Sequence, residues 1–225
     1  MPVDLHLHST NSDGTSTPEE IVQAAVSVGL SAIALTDHDN LDGIPAARTA
    51  AESAGLEFIP GTELSVGWQG SAMHLLVYFL EPEPGPLQDR LSGIRDGRTT
   101  RNHEIIAALQ DLGIDISHDE VATEATGASI GRPHIAAVLV AKGVVADIPA
   151  AFDRLLATGR PAYRPRMRLE ASEAITLARA SGAIPVIAHP HTLGIPEGGY
   201  RDAFRELVEQ GLGGIEAYYG EYRPE

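Results

Sequence analysis

Five short hydrophobic stretches of this chain carry a histidine or a carboxylate at or beside one end. The stretches are residues 4–8, 32–39, 58–63, 73–80 and 185–190, and the side chains concerned are His6, His8, His38, Glu63, His74 and His189. In a barrel of parallel strands the carboxyl ends of all strands converge on one face, so ligands that are scattered through the sequence can meet there. The recurrence therefore predicts a metal site that several strands build together.

The composition restricts the ligands and the partners of such a site. The chain has 225 residues and no cysteine, so disulfides and thiol catalysis are excluded and any metal must be bound through nitrogen and oxygen. A net charge of −15 argues against duplex DNA and against an anionic membrane surface. A small phosphorylated substrate remains compatible with this charge, because bound metal ions can reverse the local field.

No targeting or membrane segment is visible. Residues 1–12 lack a basic start followed by an apolar run, and the longest apolar run, residues 135–141, is far shorter than a membrane span of about 18 residues. We expect a cytoplasmic protein with no membrane contact, and nothing in the sequence indicates an obligate protein partner.

Strands and helices alternate in the first part of the chain. Thr17 and Glu20 have the spacing of a capping box, which predicts a helix that ends at Gly29, and residues 31–36 then form a strand. A helix at 44–54 and a strand at 56–62 follow. The pattern resumes with a helix at 171–181, a strand at 184–188, a helix at 200–210 and a strand at 214–218. This order is typical of the α/β class with a parallel sheet or barrel.

The middle of the chain breaks the alternation. Residues 81–86 have the composition of a linker, and helices are predicted at 87–112, 130–142 and 148–158. We therefore divide the chain into a barrel, residues 1–83 and 170–225, and a helical insertion, residues 84–169. The insertion is the basic part of an acidic protein, because residues 84–169 contain 11 of the 16 Lys and Arg residues but 10 of the 31 Asp and Glu residues.

Each candidate ligand also has a simpler interpretation. His6 and His8 point to one side of a strand and could form an exposed polar edge. Asp13 lies in a Ser-Asp-Gly-Thr loop, where an Asx-turn would explain it, whereas Glu63 would be costly at the end of an apolar strand unless it were paired or coordinated. His74 and His189, taken singly, could be core or rim histidines. Their joint arrival at the ends of successive predicted strands favours a metal site.

The same residues resemble the motifs of a known family. Residues 4–9, 12–15, 36–39, 60–63, 73–74 and 188–190 are similar, in order, to the motifs of the polymerase and histidinol phosphatase (PHP) family of metal-dependent phosphoesterases. The resemblance implies a distorted seven-stranded β/α barrel that binds two or three divalent ions. It assigns one ion to His6, His8 and Glu63, a second to Glu63, His74 and His189, and a third to Asp13 with His38.

The resemblance also implies a reaction. Bridged divalent ions activate a water for attack on phosphorus, so no side-chain nucleophile is expected. Imidazole with carboxylate suits manganese, zinc or iron equally. Asp37 and Asp39, which flank His38, are expected to orient ligand imidazoles.

Two segments of the insertion indicate which branch of the PHP family the chain resembles. Residues 131–136 and 155–165 are similar to the PHP branch that removes the 3′-phosphate from nucleoside 3′,5′-bisphosphates and trims short RNA from its 5′ end. By this resemblance Arg132 and His134 contact substrate phosphate, and Arg160 and Arg164 are further candidates; helix capping is the alternative role of Arg132 and His134. His103 and His118 match no motif and are interpreted as solvated residues.

One motif of the family does not appear. The family closes its barrel with a strand that carries a Gly-Ser-Asp-x-His type motif, and residues 215–225 contain no such motif. We therefore expect a barrel that lacks its last strand. Two alternatives to the bisphosphate phosphatase stay open: a PHP phosphatase of another small metabolite, such as histidinol phosphate, and an inactive, truncated metal-binding scaffold.

Overall fold

The structure, a computed structural model, describes residues 2–125, 130–165, 168–196 and 198–218. The chain folds into two compact units. The first unit comprises Met1–Leu91 and Arg168–Glu225, and the second unit comprises Ser92–Met167. The boundary between the two units, at Ser92, lies eight residues after residue 84, where the insertion was predicted to start. It falls inside the first helix of the insertion.

A seven-stranded mixed sheet forms the first unit. The strands are β1 (Val3–Leu7), β2 (Ala32–Leu35), β3 (Glu57–Trp68), β4 (Ser71–Tyr78), β5 (Leu169–Glu170), β6 (Ile184–Ile187) and β7 (Gly214–Ile215). Their order is β1-β2-β3-β4-β6-β7, and β5 pairs with β3. Every residue of β2 is buried, as expected for a strand in the interior of an α/β sheet.

The expectation that all strands run parallel is wrong for β4. β1 with β2, β2 with β3, and β6 with β7 are parallel pairs, whereas β4 is antiparallel to both β3 and β6. The reversal occurs at Gln69 and Gly70, which have φ values of 48° and 78°. Two consecutive residues with positive φ form the tight turn of a two-residue hairpin, and here they join Trp68 directly to its partner Ser71. β3 therefore continues well past its predicted end at residue 62.

Eight α-helices lie in the part of the chain that the structure describes. They are α1 (Pro18–Ser27), α2 (Ile44–Ala54), α3 (Pro86–Asp111), α4 (His118–Glu124), α5 (Arg132–Ala141), α6 (Ile148–Ala151), α7 (Ala171–Ala180) and α8 (Tyr200–Glu209). The predicted capping box of α1 is confirmed: Glu20 N donates to Thr17 Oγ1 at 3.2 Å, and Thr17 N donates to Glu20 Oε2 at 2.8 Å. None of the described helices is both long and apolar enough to cross a bilayer.

The helices of each unit cover a core of their own. In the first unit Val22 of α1 and Ile44 of α2 pack against Ile33 and Leu35 of β2. The core of the second unit is built on Ile105, Leu109, Ile116, Leu139 and Leu156, all of which are essentially inaccessible to solvent.

Two local features of the second unit were not predicted. α4 begins with a capping box in which Ser117 Oγ accepts a hydrogen bond from Glu120 N at 3.3 Å. After α6 the chain continues as a π-helical turn over Phe152–Leu156, closed by the bond from Ala157 N to the Phe152 carbonyl oxygen at 2.9 Å.

Candidate metal centre

Five imidazoles face the carboxylate of Glu63, whose side chain is 2% exposed. The Oε1 atom lies 2.9 Å from His74 Nδ1 and 2.9 Å from His189 Nε2. On the other side, Oε2 lies 3.2–3.3 Å from one nitrogen of each remaining ring, namely His6 Nε2, His8 Nε2 and His38 Nδ1. The two oxygens of one buried carboxylate thus divide the histidines into two groups.

Strand ends and loops bring these histidines together. His6 lies on β1 and His8 just beyond its end, and side chains two apart on a strand point the same way. His38 follows β2 and forms an isolated parallel bridge with Glu63. His189 follows β6. His74 alone comes from the middle of a strand, because antiparallel β4 places it opposite Ser65.

Asp13 completes a third group of ligand atoms. Its carboxylate lies 3.5 Å from His8 Nδ1 and 3.5 Å from His38 Nε2. Within the part of the chain that the structure describes, potential ligand atoms lie within 4.8 Å of one another in three clusters: His6 with His8 and Glu63, His8 with Asp13 and His38, and His38 with Glu63 and His74. The structure therefore brings together all seven residues that were expected to bind metal, and it adds His8 to the group around Asp13.

The donor set fits divalent transition ions. His74 Nδ1 and His189 Nε2 face the same oxygen and are 3.2 Å apart. His38 Nδ1 is buried and makes no hydrogen bond in the described part of the chain. Imidazole nitrogens that converge on one carboxylate in this way have the arrangement of metal ligands, and a nitrogen and oxygen set suits manganese, zinc or iron. Glu63, with one group of histidines on each oxygen, fits the position between two ions.

Burial and hydrogen bonding act in opposite directions on the charges of this cluster. Burial alone would raise the pKa of Glu63, but hydrogen bonds from His189, His6 and His74 hold it well below its usual range. Burial alone would lower the pKa of His6, but its hydrogen bonds with Glu216 and Glu63 raise it to about 9. The hydrogen bond with His38 lowers the pKa of Asp13 to about 2. The carboxylates are thus ionised at neutral pH and ready to bind cations.

The described hydrogen bonds of Asp37 are with Ser9 and Ser12, and its expected role in orienting an imidazole stays a prediction. Asp37 is buried and accepts hydrogen bonds from Ser9 N at 2.7 Å, Ser9 Oγ at 2.6 Å and Ser12 Oγ at 2.6 Å. Asp37 therefore holds the loop that precedes Asp13, and it approaches His8 only through Ser12 Oγ, 3.4 Å from His8 Nδ1.

Asp39 supports β3 through its described hydrogen bonds, and its charge also contributes to the raised pKa of His38. It has a φ of 49°, and its Oδ1 accepts a hydrogen bond from Ser65 N at 3.0 Å. Its own N–H donates to the Glu63 carbonyl oxygen at 3.1 Å. These two bonds fix the strand segment on which Glu63 lies.

The sequence reasoning missed Glu216. Its Oε1 lies 3.0 Å from His6 Nδ1, and its Oε2 accepts a hydrogen bond from His189 N at 2.6 Å. The signal was present, because Glu216 directly follows β7 just as the other candidates adjoin a strand. A strand of only two residues made that signal weak.

The basic candidates for substrate binding lie in the second unit. Arg132, the first residue of α5, donates from Nη1 to the Leu156 carbonyl oxygen at 3.1 Å, and its guanidinium lies 5.5 Å from the centre of the Phe152 ring and 6.0 Å from that of Tyr163. His134 Nδ1 accepts a hydrogen bond from Gly131 N at 3.1 Å, which is the capping role considered above.

The other two arginine candidates, Arg160 and Arg164, and the two histidines that match no motif are at least partly exposed. Arg164 donates to the Tyr163 carbonyl oxygen at 2.9 Å, and Arg160 is exposed. His103 is exposed as expected, but its ring stacks on that of His118 with the centres 4.4 Å apart.

An α/β sheet that gathers histidines and acids around one buried carboxylate is typical of the class of proteins with a site for divalent ions. Comparison with known proteins narrows this class. The PHP domain matches residues 4–135. The chain belongs to the PHP family of metal-dependent phosphoesterases, which confirms the expected family and fold class.

Individual relatives extend over most of the chain. It is 33% identical over 209 residues to a 3′,5′-nucleoside bisphosphate phosphatase of Chromobacterium violaceum, which covers 92% of this chain and 70% of that protein. It is 35% identical over 187 residues to a 5′-3′ exoribonuclease of Haemophilus influenzae, with 83% and 68% covered. A crystal structure from Bifidobacterium adolescentis, described as a metal-dependent phosphoesterase, superimposes with a TM-score of 0.80 at 29% identity over 99% of this chain and 79% of that one.

Proposed function

We propose that this protein hydrolyses the 3′-phosphate monoester of nucleoside 3′,5′-bisphosphates, and that the 5′ ends of short RNA are a second substrate. The observation that carries the reaction type is the arrangement of five imidazoles around Glu63, since each oxygen of this carboxylate faces its own group of histidines. The choice of substrate rests on the names of the two relatives, whose similarity extends over 92% and 83% of the chain.

The residues of this chain divide the work of such a reaction. Three groups of residues would hold the ions: His6 with His8 and Glu63, Glu63 with His74 and His189, and Asp13 with His38. Divalent ions bound there would activate a water for in-line attack and stabilise the leaving oxygen. The hydroxyls of Ser9 and Ser12, in the segment that precedes Asp13, both donate hydrogen bonds to Asp37, so neither is poised as a nucleophile.

A bisphosphate needs a second recognition element for the phosphate that is not cleaved. Arginine suits this role, because its guanidinium is always charged and can bind phosphate in a bidentate manner. In Arg132 the guanidinium is held by the Leu156 carbonyl oxygen and by the rings of Phe152 and Tyr163, which reduces the number of rotamers it must lose on binding. We propose Arg132 as the principal contact, with His134, Arg160 and Arg164 as further contacts.

Kinetics of Arg132→Ala test this proposal. Phosphate release is measured from a nucleoside 3′,5′-bisphosphate and from a simple aryl phosphate, with manganese, zinc and iron in turn. Arg132→Ala is expected to lower kcat/KM for the bisphosphate more than for the aryl phosphate, by about 1.5–3 kcal/mol of differential transition-state stabilisation.

Arg154→Ala is the matched control, because Arg154 is an exposed arginine of the same unit. It should leave both substrates unchanged. Equal losses on both substrates in Arg132→Ala would contradict recognition of a second phosphate and would favour a simple phosphatase. A 5′-phosphorylated short RNA, assayed alongside, tests the second substrate.

A further inference from the structure

We infer that Glu216 is a positioning residue of the metal centre: it fixes the ring of His6 and the backbone of His189, so that each histidine presents a ring nitrogen to its own oxygen of Glu63. The inference rests on the metal centre of the proposed function and not on the choice of substrate.

The contact with His6 has the form of a carboxylate–histidine–metal relay. His6 Nε2 faces Glu63 Oε2 at 3.3 Å, while Nδ1 of the same ring lies 3.0 Å from Glu216 Oε1. A metal-binding histidine usually donates its second N–H to a carboxylate or carbonyl, which selects the tautomer and fixes the ring plane. Glu216 stands in this position, and its side chain is only 10% exposed, so water competes little for the bond.

The contact with His189 stabilises an unusual backbone. His189 has φ 28° and ψ 60°, a conformation that residues with a side chain rarely adopt. Its N–H donates to Glu216 Oε2 at 2.6 Å. Such strain persists only where the surroundings determine it, and here the strained residue is one that faces Glu63. The carboxylate of Glu216 therefore links a candidate ligand on β1 to one that follows β6.

The pairing of β7 with β6 explains why Glu216 contacts both His6 and His189. β7 runs parallel to β6, and Glu216 N donates to the Ile187 carbonyl oxygen at 2.8 Å, directly before the segment that carries His189. Both oxygens of Glu216 are engaged with nitrogen atoms of the two histidines, Oε1 with His6 Nδ1 and Oε2 with the backbone N–H of His189. This arrangement favours a residue that orients ligands over one that binds the ion itself.

Metal titration of Glu216→Gln separates these roles. Binding of zinc or manganese to chelator-treated protein is followed by calorimetry and by competition with a chromogenic chelator. We expect the ions held by His6 and by His189 to bind about 10–100-fold more weakly than in the wild type, the usual effect of losing an outer carboxylate partner, with the number of ions at saturation unchanged. Glu209→Gln, a charge-matched change at an exposed residue of α8, should bind metal like the wild type.

Two outcomes would overturn the inference. Loss of one ion at saturating metal would make Glu216 a ligand, and unchanged affinity would leave it no positioning role. Metal affinity does not depend on the substrate, so a protein that fails to hydrolyse bisphosphates would still give a valid result.

If Glu216→Gln does not fold, a measurement of the His6 tautomer in the wild-type protein tests the inference instead. In zinc-loaded protein with nitrogen-15-labelled histidine, His6 should show a protonated Nδ1 and a metal-bound Nε2. A metal-bound Nδ1, or a proton on Nε2, would contradict the inference.

Discussion

A carboxylate as deeply buried as that of Glu63 destabilises a protein unless positive charge compensates it. In this chain protons and metal ions can both supply that charge. When the protein is stripped of metal, hydrogen bonds with Glu216 and Glu63 raise the pKa of His6 to about 9, although burial opposes this. The pKa of His38 is also raised, against burial, by its hydrogen bond with Asp13 and the charge of Glu63. At neutral pH a metal ion must therefore displace a proton from the ring of His6.

Metal binding at pH 8 should accordingly release protons. His6, with a pKa of about 9, is mainly protonated at pH 8 in the metal-free protein but must be neutral to bind an ion. Glu63 has a lowered pKa and is already ionised, so it contributes no proton. Calorimetry in two buffers of different ionisation enthalpy should report release of about one proton or more per chain at pH 8.

The direction in which proton release and metal affinity change with pH tests this prediction. Since the pKa of His6 is raised, proton release should decline above pH 9 to 10 and the apparent metal affinity should rise with pH up to that range. Binding enthalpies that are identical in both buffers at pH 8 would contradict the protonated His6.

At the scale of elements, the segment between β1 and α1 determines where Asp13 lies. Asp37, which follows β2, accepts the hydrogen bonds of Ser9 and Ser12, so the segment is held from a neighbouring strand. Gly14 packs directly against the backbone that follows β1. A Cβ at this position would lie 2.1 Å from the His8 carbonyl oxygen and 2.9 Å from Ser9 N. Both contacts are with backbone, which cannot move aside without shifting the end of β1.

Gly14→Ala should therefore displace Asp13 and weaken one ion selectively. The group of His8, Asp13 and His38 would lose its geometry, whereas Glu63 and its contacts with His74 and His189 should be retained. Metal titration should show one site weakened by about 10-fold or more, as for a disturbed metal environment, while the remaining sites change little.

Gly93→Ala is the control for this change. A Cβ at Gly93, in α3, meets no atom within 4 Å, and alanine should stabilise the helix by about 0.5–1 kcal/mol without changing metal binding. Titration curves for Gly14→Ala that coincide with the wild type would show that the segment tolerates the methyl group and that its close packing does not position Asp13.

For the molecule as a whole, sequence patterns predicted most of the centre because its members adjoin hydrophobic strands. His6, His8, Glu63 and His189 could be found this way, and the structure brings them together. The direction of each strand could not be predicted from the sequence, because side chains alternate between the two faces of a sheet in parallel and antiparallel strands alike. The β3–β4 turn depends on positive φ at Gln69 and Gly70, and only the glycine indicates it in the sequence.

The supporting contacts were beyond sequence reasoning for a different reason. Asp37 contacts residues 25 and 28 positions away, and Glu216 contacts His6 across 210 positions. No local pattern specifies such partners, since they depend on how the strands pair. The hydrogen bonds of Asp37 with Ser9 and Ser12 were therefore not predicted.

The most direct test of the account is the metal content of the protein and of Glu63→Gln, which keeps the shape of the side chain but removes the charge shared by the two groups of histidines. Both are loaded with manganese or zinc, desalted and subjected to elemental analysis, with Glu57→Gln, an exposed glutamate of the same strand, as the control. We predict about two to three ions per chain for the wild type and the control, and about one or fewer for Glu63→Gln, since the cluster of His8, Asp13 and His38 does not include Glu63; phosphatase activity should fall more than about 100-fold. A wild-type protein that takes up no metal, or a Glu63→Gln variant that retains all of it, would contradict the account.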